Sequence, residues 1–366
     1  MATGPRVLLL GAGLAGGLLA QALARAGARV TLVGEPQAAL GATAISYGGV
    51  PWWAGGADAL GRLQAGAPGA WRALEALHGD LGWRDADLWL HGLRPDGDAL
   101  PLPQAPAGCW LAAAEARRLE PLLALQDPLG VLVLPYGRVE PRALLAGLER
   151  CLPALGVTRG DPLEGPAALQ QARRVHDHTV LCAGAHCGRL LQQLELPAPA
   201  VLDHSWAGVL QRRGPTLVGE RIVMPLQPLR PARERDGAGP EPVLDAGLAP
   251  APGGGLLLGQ SSWFGRALDP PAAAADRALL EGAGQLLLGP QAMHREGWTL
   301  RQRPVAFCRD GRPLVGPLEG ADAVSLFCGF AGPFALVPLL APLLAEAVLS
   351  GALGPLADLG VLPLAR

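Results

Sequence analysis

The residues best placed to do chemistry stand near the start of the chain. Gly11, Gly13 and Gly16 in GAGLAGG fit the spacing GxGxxG. In that pattern the first glycine permits a tight turn, the second lets a pyrophosphate lie against the backbone, and the third lets helix and strand pack closely. Leu14 and Ala15 open the segment that follows, whose free N–H groups and positive dipole end favour phosphate. An acidic residue closing the next strand normally binds the adenosine ribose. The usual register puts Gly34 there, with Glu35 one residue later. One step along a strand reverses the side-chain direction, so Glu35 is either a ribose ligand on a chain already turning or a solvated loop glutamate.

Other chemistries are excluded by residue type. All 30 basic residues are arginine and lysine is absent, which removes a lysine Schiff base and a P-loop lysine. The six cysteines form no CxxC and no zinc-finger spacing with the seven histidines, so no metal site is expected and buried free thiols in a reducing cytosol are. A net charge of −2 without a basic stripe argues against nucleic acid.

The elements that must position the glycines are equally legible. Residues 6–10 (RVLLL) are short, apolar and ended by glycine, the pattern of a buried parallel strand. A small-residue helix over 14–26 closes at Gly27, and 28–33 (ARVTLV) reads as a second strand. Half of the 366 residues are hydrophobic and 17% are charged, enough to bury large cores; the 51 glycines and 36 prolines punctuate apolar segments as turns. Arg6 followed by the apolar run 7–20 imitates a signal peptide, but three spaced glycines and a second strand argue against export. The run 334–349 is short for a bilayer and holds Pro338, Pro342 and Glu346. A soluble, cytoplasmic protein with no transmembrane segment is therefore expected. Helical spacing is expected over 67–78 and 111–125, strands over 205–212, 221–227, 242–247 and 256–263, and a solvated, mobile tip over 228–241.

Beyond Glu35, LGATAISYGGVPWW (40–53) resembles the FAD-dependent D-amino-acid oxidase, glycine oxidase and sarcosine oxidase family. The resemblance continues through LPYGRVEPRALLAGL (134–148), HTVLCAGAHCGRLL (178–191), DGRPLVGP (310–317) and SLFCGFAGPFALVPLLAPLLAE (325–346). It implies an α/β fold: a discontinuous Rossmann-like FAD-binding domain with a parallel sheet over 1–55, 138–200 and 300–366, and an α+β substrate domain with an antiparallel sheet over 56–137 and 201–299. It implies non-covalent FAD, with Cys308 too close to Asp310 to match the cysteine that carries flavin in sarcosine-oxidase-like members. Ala42 and Thr43 would meet a phosphate, Gly48 and Gly49 the flavin ring, the Val139 backbone the adenine, and Gly184 the cofactor. Gly329, Phe330 and Gly332 would set the last helix against the flavin. Trp52 and Trp53 line the pocket or pack in the core.

By the same resemblance, the reaction is oxidation of a carbon–nitrogen bond in a small amino acid or secondary amine (D-amino acid, glycine or N-methyl type) by hydride transfer to flavin. The substrate carboxylate would be held by Arg303, in the Arg303-Pro304 pair before Asp310-Gly311, with Arg301 or Arg309 as alternatives because the spacing departs by two residues. Phe330 makes that turn more apolar than in relatives. Tyr136 touches substrate or caps its own turn, His204 is a satisfied structural histidine, and Asp310 forms a turn. O2 or an electron carrier takes the electrons; without a lysine beside the flavin, the carrier is the expectation. Two other readings stay open: a 2-hydroxy-acid dehydrogenase on the same fold, and a non-catalytic flavin-binding partner of a larger complex. Oligomerisation is possible.

Overall fold

A computed structural model describes residues 4–34, 41–95, 102, 104–237, 239, 241–251, 253–266, 268–294 and 296–363. Its strands, in chain order, are β1 (Arg6–Leu10), β2 (Arg29–Val33), β3 (Gly49–Val50), β4 (Trp83–Gly92), β5 (Cys109–Ala112), β6 (Gly130–Val139), β7 (Thr158–Gly160) and β8 (His178–Leu181). They continue as β9 (Leu202–Arg212), β10 (Ile222–Pro225), β11 (Val243–Pro250), β12 (Leu256–Trp263), β13 (Thr299–Cys308), β14 (Leu314–Pro317) and β15 (Val324–Cys328).

These form two sheets. The first has the order β14-β15-β8-β1-β2-β7 and is parallel apart from β14. Both its faces are covered, which is why RVLLL carries no alternation: Val7 and Leu9 enter one core, Leu8 and Leu10 the other. Helices Leu14–Arg25, Pro141–Ala154 and Pro333–Ser350 cover the first face, and Gly165–Arg174 and Cys187–Gln193 the second. The second sheet runs β13-β9-β12-β11-β10-β4-β6-β3, with β5 also on β6. It is antiparallel except where β10 meets β4. Helix Ala273–Leu288 packs Leu280, Ala283 and Leu287 against one of its faces.

A mixed α/β fold with a Rossmann-like parallel sheet and an antiparallel sheet is thus present. The expected boundaries at 138 and 300 fall inside β6 and β13, and β3 also joins the second sheet, so these strands pair differently from the segments drawn on the sequence. The segment 111–125 splits into β5 and helix Ala113–Leu119, because pairing with β6 claims its first residues. The expected loop 228–241 contains helix Arg230–Asp236, held by Leu229 and Arg230 N–H bonds to Asp245 and burying Glu234. Five of the six cysteines are buried, but Cys109 is exposed.

Helix Pro333–Ser350 spans 18 residues at mean hydropathy 1.8, long and apolar enough to cross a membrane, contrary to the shorter run read from sequence. It is a core helix, burying Phe334, Leu340 and Leu344 among others. Its internal Pro338 cannot donate to the Phe334 carbonyl; Trp71 Nε1 does so instead, at 2.7 Å.

Candidate active site

The β1 turn is built as its glycine spacing requires. Gly11 has φ +117°, and a Cβ there would lie 2.6 Å from the Cys182 carbonyl; one on Gly16 would lie 1.8 Å from Gly11 O. Those two glycines are fixed by the protein's own packing. Gly13 differs: it caps helix Leu14–Arg25 at φ −77° with no side-chain cap, and a Cβ would meet only Thr43 Oγ1, at 3.3 Å. Gly184, at φ +56° after β8, has nothing within 4 Å. Leu14 lies buried and Ala15 half-buried in the first turn. The space thus opens in front of a helix N-terminus carrying no acidic residue, which is what a pyrophosphate needs.

The loop after β2 closes on this turn. Helix Ala42–Ile45 places Thr43 so that Leu14 N–H donates to its hydroxyl at 3.3 Å. Gly48, at φ +72°, lies against β6: a Cβ would be 1.9 Å from Val139 O, and one on Gly49 would be 2.7 Å from the Tyr136 hydroxyl. Tyr47 OH lies 2.8 Å from Gly259 O and 3.0 Å from Gly247 O, tying the loop to β11 and β12. Buried Arg138 holds the same loop through Tyr47 O, with Pro250 O and Glu220 as its other partners. The turn at Gly329 (φ +74°) and Gly332 brings in the last helix, and a Cβ on Gly332 would be 3.9 Å from Pro51. The turn at 11–16 thus meets the loop after β2 at Thr43, and the turn at 329–332 meets it at Pro51.

Several expectations are altered. Val139 donates its N–H to Gly48 O at 2.9 Å and is buried at the end of β6, so its amide is already engaged. The strand that ends beside Val33 is instead β7, at Gly160; the helix–strand step after Pro141 is the signal that points to it. At position 34 a side chain is excluded, since a Cβ would lie 2.7 Å from Ala12 N; Glu35 lies outside the described residues. Phe330 packs edge-on to Phe327 at 5.0 Å in the core. Trp53 is also core, donating to Pro135 O, while Trp52 borders a cleft. Tyr136 caps nothing: its hydroxyl makes no hydrogen bond among the described residues. His204 approaches Asp203 at 4.0 Å, but its Nε2 is buried without a partner, so it is only half satisfied. Asp310 does form a turn, accepting from Arg312 N–H.

The three arginines separate clearly. Arg309 is exposed and sits 4.0 Å from Asp203. Arg301 and Arg303 alternate with Gln302 on β13, whose amide donates to buried Asp276 at 2.7 Å. Asp276 also accepts from Ser261 and Trp263, fixing β12, β13 and the helix in one register; no sequence pattern marked it. Arg301 and Arg303 thus share the face opposite to helix Ala273–Leu288, and helix Ala42–Ile45 contacts β13. Arg301 is exposed. Arg303 is half-buried; its Nη1 donates to Gln302 O, and its Nε is buried without a partner. Burial, then the Arg301 charge, pulls its pKa down. Among the described residues no carboxylate pairs with either Arg301 or Arg303, and no His/Cys/Asp/Glu group has the makings of a metal site.

Comparison with known proteins accords with this construction. A family model described as FAD dependent oxidoreductase matches residues 6–347. No curated protein matches the sequence. Among solved structures, glycine oxidase from Bacillus cereus ATCC 14579 superposes with a TM-score of 0.74 at 15% identity, covering 99% of both chains. Iminodiacetate oxidase from Chelativorans sp. BNC1 gives 0.69 at 21%, covering 94% of this chain and 95% of that one. Glycine oxidase from Geobacillus kaustophilus gives 0.71 at 18%, covering 96% and 98%. At these identities the likeness is one of fold. The family match extends over nearly the whole chain, and the open glycine turns fit its cofactor: this chain belongs to the DAO family of FAD dependent oxidoreductases.

Proposed function

We propose that the chain oxidises the carbon–nitrogen bond of a small-molecule amino acid or secondary amine, of D-amino acid, glycine or N-methyl type. FAD, when bound, supplies the capacity to accept a hydride from the carbon beside nitrogen. The chain's own residues bind, orient and exclude water. Gly13 and Gly184 leave room for the cofactor, Leu14 and Ala15 open the helix that faces its phosphates, and Ala42–Thr43 flank them. Gly48, Gly49, Gly329 and Gly332 bring backbone close on the flavin side. The first sheet serves the cofactor and the second the substrate.

The observation that carries the reading is Arg303. A half-buried guanidinium with an unpartnered Nε, beside a second arginine and without a carboxylate, is a site lacking its anion. Its planar fork suits a substrate carboxylate, which it can bind in bidentate fashion. The solved oxidases of similar fold bear names that point the same way, glycine and iminodiacetate oxidase.

The test is anaerobic flavin reduction with amino acids, N-methyl amino acids and 2-hydroxy acids. Bleaching by an amine-bearing acid with release of ammonia or amine is expected; bleaching by hydroxy acids alone overturns the reading. Arg303→Ala should raise KM about 100-fold, the cost of leaving a desolvated carboxylate unpaired, whereas Arg301→Ala should change it severalfold. Reversed effects would move the carboxylate to Arg301.

A further inference from the structure

Arg301 and Arg303 flank Gln302 on β13, so both side chains leave one face of the second sheet, from Cα atoms about 7 Å apart. The residues opposite them on β9 are Val209 and Ala207, which carry no charge. Three short helices also contact β13. Ala42–Ile45 and Gly184–His186 hold no acidic residue, and in Arg230–Asp236 the buried Glu234 pairs with its own Arg230 at 2.6 Å. Two positive charges therefore stand side by side, and neither has a carboxylate partner among the described residues.

Ser205 adds an independent sign of a ligand. It lies opposite Val305, and so on the same face and diagonal to Arg303. It is fully buried, and its Oγ has no partner; neither has the buried Nε of Arg303. Buried polar groups left unmet are costly, and two of them on one face beside a second arginine mark a site without its ligand. The charge of that ligand follows from the charges it meets. An amino acid with a single carboxylate is a zwitterion, which matches one guanidinium and leaves the other uncompensated. A second carboxylate matches both.

We infer that this face takes a dicarboxylate and that the substrate is a dicarboxylic amino acid, with the carboxylate next to the reacting carbon on Arg303 and the second carboxylate on Arg301. The inference rests on the proposed function, which puts one carboxylate on Arg303, and narrows its substrate class to acids bearing another. Arginine suits both ends, because its planar fork meets a carboxylate through two donors. Arg301 is exposed and so holds the outer end, where solvent screens its ion pair and makes it worth less than that of Arg303.

The test is calorimetric titration of the purified flavoprotein with succinate and with succinamate, which keeps the shape and loses one charge. Succinate should bind about fivefold more tightly, the scale of an exposed ion pair. Arg301→Gln should bring the two affinities level, and Arg301→Lys should keep most of the difference. Arg309→Gln removes a charge just beyond the same strand and should leave the difference whole. Equal binding by the wild-type protein, or a preference that survives Arg301→Gln, overturns the inference. So does a preference lost to the same extent in Arg309→Gln, which would make it an effect of net charge. Each readout is a ratio within one folded protein, so a change in stability does not imitate it. Binding is read without turnover: a flavin that no amino acid reduces would overturn the proposed function and leave the ratio standing. Reduction by D-asparagine and D-aspartate with equal kcat/KM would overturn the inference and leave the proposed function standing.

Discussion

The glycine turn after β1 leaves open space before a helix N-terminus, and Arg301 and Arg303 on β13 have no paired carboxylate among the described residues, yet the two features are made differently. The turn is made of backbone: its shape follows from which residues lack a Cβ, and Gly11 and Gly16 could be nothing else. The arginine edge is made of side chains whose direction depends on a register set by Asp276, 27 positions before Arg303 in the chain and buried under another strand. A site made of local backbone survives in the sequence as a spacing, and one made by distant register does not.

The largest effect should come from breaking the first kind of site. Gly11→Ala forces φ +117° on alanine and drives its Cβ into the Cys182 backbone, costing about 3–5 kcal/mol in strain and overlap. Gly13→Ala is the control that sharpens the contrast. Its φ of −77° suits alanine and the methyl would press only on the Thr43 hydroxyl, at 3.3 Å, so stability should fall by no more than about 1 kcal/mol while bound FAD falls. Chemical denaturation and the ratio of flavin to protein absorbance measure the two quantities. Equal stability losses in both variants would mean that the turn is filled by protein rather than held open.

That difference accounts for what could be read in advance. The first three elements and the four strands between 205 and 263 followed from period, glycine spacing and apolar runs, and the later small-residue turns from the resemblance to the family. β4 and β6 did not, because β4 (WRDADLWLHG) alternates only over its first half and β6 (GVLVLPYGRV) carries a proline and two glycines. The engagement of Val139 was hidden for a related reason: its N–H is taken by Gly48 O, 91 residues away. Arg303 could be narrowed to three candidates by its neighbourhood, but only burial and the Asp203 contact of Arg309 separate them.

Breaking the second kind of site should cost somewhat less. Asp276→Ala removes the acceptor shared by Ser261, Trp263 and Gln302 in a fully buried position, leaving Trp263 without one and Ser261 and Gln302 with only the Gly208 and Pro271 carbonyls, a loss of about 2–4 kcal/mol. Because Gln302 is adjacent to Arg303, the same variant should raise substrate KM as well. A fall in thermal midpoint with KM unchanged would show that Arg303 is positioned independently of the buried carboxylate.

Acid weighs the two sheets against each other. His178 on β8 has its pKa pushed from 6.5 to about 4 by burial, with Nε2 2.9 Å from Ser325 Oγ. The folded state therefore prefers the neutral ring, and the unfolded chain binds the proton first as pH falls. The stabilisation is complete above about pH 6.5 and is lost progressively towards pH 4, amounting to about 2–3 kcal/mol. His91 in the second sheet shifts in the same direction, by burial partly offset by its contact with Ala246 O. Urea midpoints at pH 7 and 4.5 should differ accordingly, and His178→Asn should flatten much of the difference. An unchanged slope in that variant would move the acid sensitivity to the other histidines whose pKa burial lowers, His78, His91 and His186.

The smallest effect tests how a backbone-made site is supported from outside. Pro338 deprives the Phe334 carbonyl of its helical donor, and Trp71 supplies one from helix Ala67–His78. Trp71→Phe keeps an aromatic ring in the core but removes that N–H, leaving one carbonyl unsatisfied near the start of the last helix, at a cost of about 1–2 kcal/mol. Restoring an amide donor from within the helix, by Pro338→Ala in the same chain, should recover a good part of the loss. In the wild-type background Pro338→Ala should gain less, because there the carbonyl already has its partner. Equal gains in both backgrounds would mean that the indole contributes by packing alone, and that the helix bearing the Gly329–Gly332 turn needs no donor from its neighbour.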